Sequence, residues 1–357
     1  MDHCTLAKVP SLNAGGRCLI SGWIKGRNMS HSSRRSWENG MLDWAAIRDE
    51  ALAGMTLSFM PPKVQLPALP YAVTLFVQRS RDETVPLTEL AKILETDSGL
   101  TTQLLKYVNS TFLGVQKKVA GVAQGLSLLG CGHSRHFVIA TGMEAAIRAH
   151  NSKLINQNAF WSANLRKAIF SREIALLLQT DPEIAFLGSL LQDYLLPVLT
   201  NDLVDDYRDF LQSRNANAES LCDFEQARFG WDHALVGACL AYDWKLPDEL
   251  ICCIRYHHSG LQILHNAKLR QSPVAASALS ALLPDQFCRS HHGLELLMNL
   301  QGKWPDFCLE QLAEAVDQQY LQLSLGVQNE LPLLPLCRRL AIKRALAAAG
   351  RLEVGES

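Results

Sequence analysis

Apolar residues recur along this chain three and four positions apart, the spacing that lines one face of an α-helix, and no segment shows the strict alternation of a half-buried strand. The helical pattern begins near residue 42. Leu66-Pro-Ala-Leu-Pro70 is a rigid lead-in, and Pro70 helps start a helix through Tyr71, Leu75 and Phe76. Leu87, Leu90 and Leu94 form the next stripe. Ser98 is read as the N-cap of a helix carrying Leu100, Leu104, Leu105 and Val108, with Asn109-Ser110 closing it and Gly114 permitting a turn. Val122, Leu126 and Leu129 mark a short helix that ends at Gly130. Phe137, Ile139 and Met143 mark a longer one that reaches about Ala149.

Beyond Asn158 the stripe Phe160, Trp161, Leu165, Ile169 and Ile174 predicts one long helix to about Leu178. Asp181-Pro182-Glu183 then combines an N-cap, a proline at the first helical position and an acid in the first turn. That helix is expected to run through Leu187, Leu191 and Tyr194. Pro197 has no N–H, so the carbonyl of Asp193 four residues earlier should lose its helical partner and the backbone should kink. Asp232 caps a helix bearing Leu235, Val236, Cys239 and Leu240, and Pro247-Asp248-Glu249 starts another that ends near His257-His258. Amphipathic stretches follow over 275–300 and 306–325, and a basic, Ala-rich helix runs from Arg338 to Ala349. The expected fold is all-α: a helical lobe over 45–150, a second over 151–270, and helices over 271–357 that complete or extend them. Residues 1–44 read as a disordered extension, or as sequence upstream of the true start with Met29 or Met41 as first residue.

Composition narrows the function. Of 357 residues, 48% are hydrophobic and 19% charged, which suits a packed globular chain. A formal net charge of -1 argues against a protein that coats nucleic acid, which needs an excess of Lys and Arg. The 10 cysteines include no Cys-x-x-Cys pair and read as small buried hydrophobes in a reducing compartment. With no secretory leader and no apolar run of membrane-spanning length, the expected location is cytoplasmic and no membrane partner is expected. No phosphate-cradling glycine loop or nucleophile elbow appears.

Four ordered motifs carry a resemblance. Glu95-Thr-Asp97-Ser-Gly-Leu100 through Leu104-Leu105 to Asn109-Ser110 resembles the signature of the HDOD family, with Ser98 where that family has proline. Val119 to Gly130, Phe229-Gly-Trp-Asp-His233-Ala-Leu-Val-Gly237, and Trp244-Lys-Leu-Pro247 through His257-His258 resemble its later segments. The likeness runs from about 62 to about 265. It implies an architecture like that of HD-type metal-dependent phosphohydrolases, with 151–270 as the HD-like lobe, used as an output or interaction module in bacterial signalling.

Against the HD-type enzymes, and at Ala163, Leu195 and Leu196 against the HDOD family itself, the chain departs from the pattern the resemblance implies, and two of the departures are at ligand posts. A His-Asp pair would stand where Gln192-Asp193 stands, and a histidine is often found where Ala163 stands. Leu195 and Leu196 replace a small glycine and a basic residue. An amide and a methyl group are poor substitutes for imidazole on a divalent ion. No metal, cofactor or catalytic residue is therefore expected, and Gln192, Asp193, His233, His257 and His258 are the candidates for a remnant pocket. Asp193 lies seven residues after Phe186 and three after Leu190, on an apolar stripe, so it needs partners. It is either a ligand or a structural carboxylate bonded to histidine or a helix end. His233 is either a residual metal or phosphate contact or a packed interface residue. Of the neighbours His257 and His258, one is expected to face the pocket and one solvent. Arg255, His133, His136, His291 and His292 read as surface or local helix residues.

The functional expectation is a non-catalytic signal-transduction module that binds a partner protein. An apolar surface near Asn109 and Ser110 is the interaction candidate, and helix-capping is the other reading of Asn109. The alternatives are a metal-dependent phosphohydrolase using Asp193, His233 and one of His257 and His258, or a module that senses a small nucleotide without cleaving it.

Overall fold

Capping residues divide the chain into helices, and one short apolar helix gathers the others around it. The computed structural model describes residues 42–109, 118–150, 152–217, 220–287, 291–323 and 332–348. Ser110 and Gly114 lie outside these, as do residues 1–41. Every regular element among the described residues is helical.

The first group comprises α1 (Trp44–Leu52), α2 (Tyr71–Arg79), α3 (Leu87–Glu95), α4 (Ser98–Val108) and α5 (Val122–Arg148). The cap of α4 is Asp97, not Ser98: its carboxylate accepts from Leu100 N at 3.0 Å, which places the turn one residue earlier than the sequence suggested. Within α5, Gly130 has φ 77 and interrupts the helix where the pattern placed a boundary.

The second group is α6 (Gln157–Leu177), α7 (Pro182–Leu191), α8 (Leu196–Asp202), α9 (Val204–Asn217), α10 (Leu221–Phe229), α11 (His233–Asp243) and α12 (Asp248–Tyr256). A 3-10 segment spans His257–His265, and α13 (Pro273–Ser280), α14 (His292–Gln301), α15 (Leu309–Leu323) and α16 (Leu333–Ala348) follow. The stretch 275–300 is thus two helices, parted by a loop containing Pro284. The last helix begins at Leu333, five residues before Arg338, because Asp317 of α15 caps it through Leu333 N and Leu334 N, both at 2.8 Å.

At the centre lies α7. Asp181 accepts from Glu183 N at 2.8 Å and Ile184 N at 3.1 Å, so the start signal works as the residues indicate. The helix is apolar nearly all round and packs against α5, α6, α12 and α13. Close approach to α12 depends on Gly188, where a Cβ would come within 2.5 Å of the Cys253 Cβ. One apolar core runs from Val73 and Phe76 through Leu104 and Val138 to Leu191 and Ile251. A second joins α6 and α7 to α13–α16 through Phe170, Leu279, Leu297 and Val316.

The helix does not continue to Tyr194. It ends at Leu191, turns, and resumes at Leu196. The break falls before Pro197 as expected, but the Asp193 carbonyl is not freed: Leu196 N donates to it at 3.0 Å. A tighter turn recovers the bond that proline removes, and it holds Asp193 outside regular helix.

Candidate functional site

Asp193 is set in that turn by its neighbour. Tyr194 is fully buried and its hydroxyl donates to the Gly237 carbonyl at 2.8 Å, tying the turn to the middle of α11. The N-terminus of α11 supplies His233. Asp232 caps this helix through Leu235 N at 2.7 Å. Glu225 of α10 takes both the His233 backbone N–H (2.8 Å) and its ring Nδ1–H (2.6 Å) on Oε2, while Tyr207 of α9 donates to Oε1 at 2.6 Å. One buried carboxylate thus finishes the helix end and fixes the imidazole. The end of α12 supplies His257, whose Nδ1–H donates to the Ile254 carbonyl at 2.7 Å.

With both Nδ1 atoms engaged, the Nε2 atoms turn to one point. Asp193 Oδ1 lies 3.3 Å from His233 Nε2 and 3.2 Å from His257 Nε2, and His258 Nε2 lies 2.9 Å from His233 Nε2. Asp193, His233 and His257 are 5%, 2% and 0% exposed. His258 keeps a solvent-exposed flank, yet its ring joins the cluster. Of the two neighbours, His257 is buried and faces the pocket as expected, while His258 stays exposed but its ring still reaches the cluster, where solvent alone was expected. At His257 the chain passes from α-helix into a 3-10 segment.

The other oxygen of Asp193 is also taken. Lys167, from the middle of α6 and 2% exposed, places Nζ 3.1 Å from Asp193 Oδ2 and 2.6 Å from Asp285 Oδ2. Gln192 donates Nε2 to the same Asp193 oxygen at 2.9 Å, and its own Oε1 is buried with no partner among the described residues. Phe287 N donates to Asp285 Oδ1 at 2.7 Å and orients that carboxylate. Ala163, one turn before Lys167, lines a small cavity with Asp193, Asn164 and Asp285 that holds about one water molecule.

The charges respond to this arrangement. Burial pushes the Asp193 carboxyl up, but the Lys167 ammonium and the imidazoles outweigh it and hold it well below the usual carboxylate range. For Lys167 the same contest ends with the ammonium favoured, because Asp193 and Asp285 overcome desolvation. Burial would strip His233 of its second proton, yet Glu225 and Asp193 push its pKa up to about 10. His258 goes the other way: although the residue keeps an exposed flank, the enclosure of its ring in the cluster, with His257 and His233 beside it, holds it well below the ordinary imidazole value.

Do these residues fit the divalent ion that an HD-type fold implies? Asp193, His233, His257 and His258 each offer one ligand atom, and the atoms lie within 4.8 Å of one another. Bonds of about 2.0–2.1 Å to a tetrahedral ion put neighbouring ligand atoms about 3.3 Å apart, close to the separations above. Rings anchored through Nδ1 by a carboxylate and a backbone carbonyl are the usual support of metal-bound histidine. The set fits one ion. Four protein ligands would complete a tetrahedral ion, which then ties together the ends of α7, α11 and α12. The neighbouring group Cys222, Glu225 and His233 does not fit: burial and the nearby carboxylates push the Cys222 thiol up, away from thiolate.

Asn109, a partner-contact candidate, is used inside the chain. Its Nδ2 donates to the Leu105 and Val119 carbonyls, each at 2.8 Å, and its Oδ1 accepts from Val119 N at 2.7 Å. Helix-capping, the other reading of this residue, is what the geometry provides. Arg255 is half-buried, donating to the Ala51 carbonyl at 3.3 Å. His133, His291 and His292 are all exposed, His133 lying 3.3 Å from Glu183. The sequence reading missed Lys167, Asp285, Glu225 and Tyr207. Lys167 stands seven residues after Phe160 and seven before Ile174, so a cation on that stripe was a usable signal. Glu225, midway between Leu221 and Phe229, was another. Asp285, in a loop, left none.

An all-helical domain with an acid and imidazoles meeting at its helix ends is an HD-like domain. A family model, the HDOD domain, matches residues 66–260, and the chain belongs to that family. It is 24% identical over 199 residues to an uncharacterized protein of Treponema pallidum (strain Nichols), covering 54% of this chain but only 38% of that protein's length. Among solved structures it resembles an HDOD domain protein of Geobacter sulfurreducens, with TM-score 0.51, 18% identity, and 86% of this chain and 95% of that one covered. It also resembles a presumptive phosphohydrolase of Shewanella amazonensis SB2B, with TM-score 0.52, 20% identity, and 80% and 95% covered. At these identities the likeness is one of fold. Among the described residues no helix is long and apolar enough to cross a membrane.

Proposed function

We propose that this chain is a non-catalytic signal-transduction module that acts by binding a partner protein in the cytoplasm. One observation carries this: the acid that HD-type chemistry would need is already neutralised from within. Asp193 Oδ2 is held by the Lys167 ammonium and the Gln192 amide, and the space beside it admits a water, not a nucleotide. Sites for small ligands usually need about 300 Å³ or more. Membership in the HDOD family supports the signalling role.

The test is affinity capture of the full chain from its native bacterium, followed by reconstitution with the purified partner. A stoichiometric complex that survives Asp193→Asn supports binding without chemistry. A chain that forms no such complex with any captured protein overturns the proposal.

A second reading, a module that senses a nucleotide, has its own observation. A second cavity beside Ala163, of about 240 Å³ and so somewhat below that usual size, is lined by Arg166, Asp285, Leu283, Leu333 and Leu336 and by none of the histidines. A thermal-shift panel of guanosine phosphates and cyclic dinucleotides tests it. A rise in melting temperature that is lost in Arg166→Ala would favour sensing; no shift at millimolar ligand would exclude it.

A further inference from the structure

The centre has two sides, and they are filled in different ways. On one side of Asp193 the Nε2 atoms of His233 and His257 meet Oδ1, and His258 Nε2 adjoins that of His233. On the other, Asp193 Oδ2 and Asp285 Oδ2 face each other across a single cation, Nζ of Lys167, at 3.1 and 2.6 Å. Two carboxylates from separate elements aimed at one buried point form a cation position. Here the cation is tethered to α6. A third polar group borders the same space: Asn164, 1% exposed, lines the cavity with Asp193 and Asp285, and its Nδ2 has no partner among the described residues.

We propose that Lys167 stands in for a second divalent ion, so that the centre takes one transition ion on its imidazole side and none between Asp193 and Asp285. An ammonium in this position supplies one positive charge and hydrogen bonds, but it cannot polarise a bound oxygen or lower the pKa of a water as a divalent ion does. Nor can it exchange with solvent. Replacing Lys167 by a short side chain leaves the buried Asp193 carboxylate, the half-buried Asp285 carboxylate, the Asn164 amide and the vacated volume of a lysine stem. That combination, rich in hard oxygen donors, suits Mn2+ or Mg2+. The imidazole side, with three nitrogens and one oxygen, suits Zn2+, Fe2+ or Mn2+. The inference rests on the closed-centre reading of the fold but not on the absence of turnover.

The experiment compares the full chain with Lys167→Ala, each equilibrated with Mn2+, dialysed and measured for metal and protein by mass spectrometry. The expected ratio is about one ion per chain for the parent and about two for the variant, with Asp285→Asn added to Lys167→Ala returning the ratio to about one. A parent chain that holds no ion or two ions overturns the proposal, and so does a variant that holds no more than the parent. If Lys167→Ala does not fold alone, circular dichroism during Mn2+ titration gives the answer. Folding driven by Mn2+ in that variant, and abolished by Asp285→Asn, supports the stand-in role; a variant that stays unfolded at saturating Mn2+ contradicts it. A parent chain that binds one ion and also hydrolyses phosphate esters would defeat the non-catalytic reading while leaving this one intact.

Discussion

Lys167 is the residue on which the centre's balance turns. An ammonium 2% exposed and bonded to two carboxylates is tolerated only because those partners are in place. Lys167→Met keeps the stem and deletes the charge, leaving Asp193 and Asp285 facing each other. The expected loss is about 3–5 kcal/mol of unfolding free energy, read from urea denaturation without added metal. Asn109 makes a second prediction at this scale. Asn109→Ala removes three hydrogen bonds that close α4 onto Val119, and urea denaturation should report a loss of about 1–3 kcal/mol. A loss under about half a kcal/mol would return Asn109 to the list of partner contacts. Individual residues were the hardest things to read from sequence. A periodic pattern reveals that Asp193 lies on an apolar face, but not which distant cation pays for its burial. That the exposed His258 would still bring its ring to the cluster beside the buried His257 is a matter of packing at the end of α12, which the order of residues does not announce.

Elements were far more legible, because their boundaries are written in local chemistry. Asp181-Pro182, Asp232 and Pro247-Asp248 each start a helix where the residues say so, and Gly130 interrupts α5 on cue. The misses share a cause. The start of α16 is set by Asp317, sixteen residues upstream of Leu333, and a cap donated by another element leaves no mark beside the helix it caps. The α9–α10 hairpin drew no prediction, although it brings Tyr207 and Glu225 to His233. Packing between elements adds a constraint that composition hides: Gly188 looks unremarkable in sequence, yet it sets the distance from α7 to α12. Gly188→Ala should cost about 1–3 kcal/mol through overpacking against Cys253. Pairing it with Cys253→Ala, which removes the Sγ at 3.0 Å but keeps the Cβ at 2.5 Å, should recover little of that loss in the same denaturation assay.

For the whole molecule, an ion pair joins the two groups of helices. His133 of α5 reaches Glu183 of α7 at 3.3 Å. The hydrogen bond to Glu183 raises the pKa of the His133 ring, which is more than half exposed. Burial pushes the Glu183 carboxyl up, but His133 and Arg172 bring it below its ordinary value. The raised imidazole contributes stability that is complete below its unfolded pKa and fades as pH rises through its folded one. The lowered carboxyl contributes stability that is present above its unfolded pKa and fades as pH falls through its folded one. The melting-temperature difference between the parent and His133→Ala should therefore peak in the mildly acidic range between the two ordinary values and shrink toward alkaline pH. A difference that is flat with pH would mean the pair adds nothing to the junction.

The proposed non-catalytic role requires a polar centre that is closed to substrate. The most direct measurement is turnover by the full, Mn2+-loaded chain on bis-p-nitrophenyl phosphate and on cyclic dinucleotides, against a protein-free control with the same metal. The prediction is release at the control rate on every substrate. Turnover above the control that disappears in Asp193→Asn would contradict it, and would make this HDOD domain an enzyme.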